Sequence, residues 1–123
     1  MLYAILCYDS EDVVESWTPD QDAAVIAKLE VVADKLAREG RLGPVARLMP
    51  TTTATTLRKG KEPIVLDGPF AETKEQLLGF FVVECASLAQ AIDTAKELGR
   101  ASSTTGSYEI RPLRALLRGA LRS

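Results

Sequence analysis

The 123-residue chain contains no histidine. That absence removes the commonest general base and the commonest metal ligand, so no Ser-His or Cys-His catalytic pair and no histidine-bearing zinc site can be drawn from this chain alone. Neither a metal nor a cofactor is expected. Cysteine is nearly as scarce: Cys7 and Cys85 each sit in an apolar run, with no CxxC pair. Such residues read as buried, reduced thiols of a cytosolic protein. No apolar run approaches the roughly 18 residues that would cross a bilayer. The first residues, MLYAILCYDSED, also lack the basic stretch and cleavage site of a secretory signal. A cytoplasmic setting without a membrane partner is therefore expected. Excess positive charge is missing too: the formal charge is −2, which argues against nucleic acid, whose affinity comes largely from Lys and Arg neutralising phosphates.

What is present is ordinary enough to fold. Hydrophobic residues make up 46% and charged residues 26%, near the averages of globular domains, and the length suits one core. LYAILCY at 2–8 and LLGFFVVEC at 77–85 are almost continuously apolar, the pattern of strands covered on both faces. Thr18-Pro19 opens and Gly40 closes a long amphipathic helix whose stripe is Val25, Leu29, Val32 and Leu36. Ser87 and Gly99 bracket a second helix. RLGPVARLM at 41–49 reads as an edge or bulged strand because of Gly43 and Pro44, and YEIRP at 108–112 as a last strand. Between them, β-branched runs on either side of KGKE predict a hairpin, which also accounts for the threonines at 51–56.

Two strand-helix-strand units in series predict an α+β fold: a ferredoxin-like βαββαβ sandwich with an extra β-hairpin and both helices on one sheet face. The other apolar face then needs a cover, and a second copy packing sheet against sheet supplies one. The domain is expected to span 1–112. The tail at 113–123 places Arg114, Arg118 and Arg122 opposite Leu113, Leu116, Leu117 and Leu121. It reads as an amphipathic turn or two, too short to stand alone in water. Such a tail must dock on its own domain or a dimer mate, with an anionic surface as the alternative.

The stretch DGPFAETKEQ at 67–76 combines backbone specialists, an aromatic ring and dense charge. Pro69 has no N–H, so Asp67 loses the usual partner of a turn aspartate two residues on. Its carboxylate either caps Phe70 or Ala71 or is free for chemistry, which makes Asp67 the candidate catalytic residue. Phe70, Glu72 and Lys74 are candidate ligand contacts, or else part of a solvated loop. Arg47, in an otherwise apolar strand, and Glu109 with Arg111, two apart on one strand face, are the remaining candidates for holding an acid group. Trp17 is expected to staple the start of the long helix.

TATTLR at 53–58, DGPFAETKEQLLGFF at 67–81 and YEIRP at 108–112 together resemble the YCII-related family, in its DGPF-domain branch. The resemblance implies a ferredoxin-like domain pairing as a dimeric α+β barrel, with a small pocket holding a histidine and aspartate pair. It extends to relatives acting on lactones in chlorinated aromatic breakdown. Asp67 would match the aspartate; the histidine has no counterpart here. DGPF proteins also resemble neighbours of extracytoplasmic-function sigma factors. The leading expectation is thus a homodimeric small-molecule-binding protein, with a pocket near Asp67 for a small organic acid or lactone-like ligand. The alternatives are a lyase or isomerase in which Asp67 moves a proton while Arg111 or Lys74 stabilises an oxyanion, and a regulatory module that contacts a sigma factor.

Overall fold

The computed structural model describes residues 1–122. β1 (Leu2–Asp9) leads into a short α1 (Glu11–Glu15) and the long α2 (Pro19–Arg38), followed by β2 (Leu42–Arg47) and a 3-10 turn at Thr51–Thr53. β3 (Thr55–Arg58) and β4 (Ile64–Asp67) come next, then β5 (Gln76–Glu84), α3 (Leu88–Ser102) and β6 (Ser107–Pro112). Four strands form one antiparallel sheet in the order β2-β5-β1-β6, while β3 and β4 pair only with each other. This mixed α+β arrangement is consistent with a ferredoxin-like fold carrying an added hairpin.

The helices form where the sequence signals place them, with two exceptions. Thr18 and Gln21 make a reciprocal capping box at the start of α2, satisfying two backbone donors that the first turn leaves open. At its end Arg41 N–H bonds Leu36 O and Gly40 N–H bonds Ala37 O, a Schellman closure of the last carbonyls. The first exception is Gly99, which does not stop α3: the helix runs on to Ser102 and ends where Ser103 turns left-handed at φ 63°. One glycine costs about 1 kcal/mol in a helix, less than the packing of the final turn returns. The second is α1, unanticipated, although Ser10 caps it and Glu11 and Asp12 suit its first turn.

Both long helices cover one sheet face. Tyr3, Ile5, Phe81, Val83 and Cys85 from the sheet meet Val32 and Leu36 from α2 and Ala91, Ala95 and Leu98 from α3. Lys35 and Glu97 join the two helices at 3.1 Å. Arg41 ties the sheet to α3 from its side: Nε donates to Glu84 O at 2.9 Å, and one terminal nitrogen donates to Thr94 Oγ1 at 2.7 Å and to Cys85 Sγ at 3.4 Å. Alternation puts Leu2, Ala4, Leu6 and Phe80 on the opposite face, where they are only half-buried and no helix lies over them.

Residues 113–122 form no helix, unlike the amphipathic turns expected there. Leu113 N–H still bonds Leu2 O, but beyond it Gly119 takes φ +68°, which breaks helical geometry, and the segment is too short to nucleate by itself. Cys7 and Cys85 are free thiols. Cys7 pairs with Gly79 across the sheet, whereas Cys85 N–H bonds Met1 O at the far end of β1. Among the described residues no helix is long and apolar enough to cross a membrane.

Candidate functional site

The apolar stripe of α2 is used unequally. Val32 and Leu36, in its second half, are buried against the sheet, but Val25, Ile26 and Leu29, in its first half, are only half-buried. The helix stands away from the sheet there, and the gap is a cavity of about 300 Å³. Its walls are Val25, Ile26, Leu29 and Ala33 from α2, Phe81 and Cys7 from the sheet, Tyr108 from β6, and Val14 and Trp17 from the α1–α2 corner. Trp17 thus belongs to a cavity wall as well as to the start of the helix. Its volume lies at the lower end of the range of small-ligand sites, and its mainly apolar wall fits the same class.

Two of the ionisable groups in its wall, Cys7 and Tyr108, are neutral at physiological pH. Burial, reinforced by the charge of Asp9, pushes the Cys7 thiol up to about 12, and the thiol points at Ile5 O at 3.7 Å. Burial, with a smaller contribution from Cys7, also raises the Tyr108 phenol above its ordinary value. The acidic side chains of Asp9 and Glu30 and the Arg47 guanidinium also line the cavity. Arg47 reaches Asp22, at the start of α2, through two bonds of 2.5 and 3.0 Å. That bond holds the Asp22 carboxyl below its usual range and raises the Arg47 guanidinium. Arg47 therefore lines the cavity already paired, and an acid ligand would have to displace Asp22 to use it.

A second depression of about 490 Å³ lies beside the DGPF loop, lined by Tyr8, Thr51, Thr56, Phe70, Glu75 and Gln76 among others. Glu11 of α1 anchors its wall by accepting from both the backbone N–H and the hydroxyl of Thr51. Gly68 adopts φ +104°, a conformation open mainly to glycine, and Thr56 Oγ1 donates to its carbonyl at 2.8 Å. The Gly-Pro pair therefore sets how the chain leaves the hairpin.

The sequence candidates divide between these places. Asp67 ends β4 opposite Thr55, is exposed, makes no side-chain hydrogen bond among the described residues, and lines neither cavity. Its carboxylate does not cap Phe70 or Ala71. Phe70 lines the outer depression, while Glu72 and Lys74 are exposed beside it. Glu109 and Arg111 pair with Leu6 and Ala4 and so share the uncovered sheet face. Glu109 accepts from the Tyr8 hydroxyl at 3.5 Å, which brings it next to the outer depression. Arg47 alone belongs to the apolar cavity. Sequence reasoning missed the inner cavity; the only signal was that a long apolar stripe on α2 ends beside a lone tryptophan.

Comparison with known proteins agrees with this architecture. The YCII-related domain matches residues 1–116. An uncharacterised protein of Rhizobium meliloti (strain 1021) is 54% identical over 124 residues, covering all of both chains. The family match spans nearly the whole chain, sheet, helices and both depressions included, and on that basis the protein belongs to the YCII-related family.

Proposed function

We propose that this protein is a homodimeric small-molecule-binding protein whose ligand enters the apolar cavity between α2 and the sheet. The observation that carries the reading is the cavity itself: its wall is mainly apolar, with neutral Cys7 and Tyr108, the acids Asp9 and Glu30, and one cation, Arg47, already paired with Asp22. That chemistry favours a small neutral molecule, of phenol or lactone type, over an anion: an apolar site without a free cation leaves a carboxylate poorly compensated. The half-buried sheet face that no helix covers supports pairing with a second copy. Binding is favoured over proton transfer by Asp67, because that carboxylate is solvated and apart from both depressions.

Trp17 is the one tryptophan in the chain and lines the cavity, so it reports on occupancy directly. Titration with phenols, lactones and short carboxylic acids is expected to change Trp17 emission and raise the melting temperature for neutral compounds. Ala33→Phe, which fills the cavity from α2, should weaken that binding by about tenfold or more. Unchanged affinity in Ala33→Phe, or binding confined to the carboxylic acids, would overturn this reading.

A further inference from the structure

A compact monomer of this mass, 13.3 kDa, exposes about 6,450 Å². This chain exposes 9068 Å², an excess of about 2,600 Å² per chain or about 5,200 Å² for a pair, at the upper end of what obligate dimers bury in total. Two extensions account for much of it. The β3–β4 hairpin pairs with no strand of the main sheet and carries apolar residues on both faces, Leu57 with Val65 on one and Ile64 with Leu66 on the other. All four are exposed, Val65 at 67%. A two-stranded ribbon is marginal by itself in water. The second extension is residues 113–122, where Leu117 and Leu121 are 93% and 101% exposed.

We propose that the hairpin and this C-terminal arm clasp a second copy of the chain, an inference that rests on the dimer proposed above and says what holds it. Charge complementarity selects the occupant. The arm carries Arg114, Arg118 and Arg122 with no acid, and none of the three has an ion-pair partner among the described residues. The stretch before Lys28 carries Asp9, Glu11, Asp12, Glu15 and Asp20 with no Lys or Arg, besides Asp22, which Arg47 already holds. The arm leaves its own fold beside Leu2, whereas the acidic stretch begins at the other end of β1, roughly 23 Å away at the rise of a strand. A second copy brings an acidic stretch to each arm, and a two-fold pair closes with both arms engaged.

The test is sedimentation over a concentration series for the full chain, a chain ending at Pro112, Leu57→Asp/Val65→Asp, and Ala4→Arg on the uncovered sheet face, each checked by circular dichroism. The full chain is expected to dimerise, more weakly as salt screens the arginines. Truncation and the hairpin pair are each expected to raise the dissociation constant at least about 30-fold with the fold retained. If both dimerise like the full chain and only Ala4→Arg does not, the sheet-face dimer stands and the clasp is overturned. A full chain that stays monomeric throughout overturns both.

Discussion

Gly79→Ala is expected to lower the unfolding free energy by about 3 kcal/mol, the upper end for overpacking a close contact. A β-carbon at Gly79 would lie 2.4 Å from the carbonyl oxygen of Ala46 and 3.3 Å from the Arg47 Cα. Both are backbone atoms of β2, so no side chain can rotate away, and β2 must shift off β5. Because β2 holds Val45 and Arg47 at the cavity, the same shift should weaken ligand binding. Gly99→Ala is the control. Its β-carbon would meet only Tyr108 Cε2 at an ordinary 3.7 Å, inside α3, so alanine should stabilise by about 0.5 to 1 kcal/mol. Urea denaturation of both variants checks the pair. Equal effects at the two positions would mean that β2 does not sit against Gly79 as described.

Alkaline pH is expected to cost the protein a second large share of its stability. The Cys7 thiol is pushed from 9.0 to about 12 in the folded chain by burial and then by Asp9. Below pH 9 both folded and unfolded chains hold this proton, and the contribution is fully present. Between 9 and 12 the unfolded chain releases the proton while the native chain keeps it, so stability falls as pH rises, by about 1.4 kcal/mol per unit at most. A loss of about 2 kcal/mol by pH 11 is expected. Tyr108, raised chiefly by burial, adds a loss of the same sign above pH 10. Cys7→Val should flatten the limb between pH 9 and 10, where the thiol dominates, and leave only the loss above pH 10 that Tyr108 contributes. Identical alkaline limbs in wild type and Cys7→Val would exclude Cys7 as the cause.

The local chemistry of the elements was legible because it depends on neighbours in the chain. Thr18-Pro19 and Ser87 cap helices as their residue types dictate, and the KGKE turn joins the two strands it was expected to join. Where local signals failed, a distant contact had outweighed them. Gly99 remains helical beside Tyr108, and the tail, tied to the sheet through Leu113 and half-buried only at Leu113 and Leu116, takes no helical turn. The candidate site was harder to read than the fold. The DGPF stretch draws attention by composition, yet its Gly-Pro pair shapes the exit from a hairpin and leaves Asp67 in solvent.

By itself the sequence determined the α+β class, the capped helices, the added hairpin and the lack of a histidine in the chain, since each follows from residue type and short-range spacing. Only the tertiary structure decided that α2 buries one half of its apolar stripe and holds the other away from the sheet. Val25, Leu29, Val32 and Leu36 look alike along the chain; whether each meets a partner or a cavity depends on the angle at which the helix crosses the strands, which no local pattern encodes.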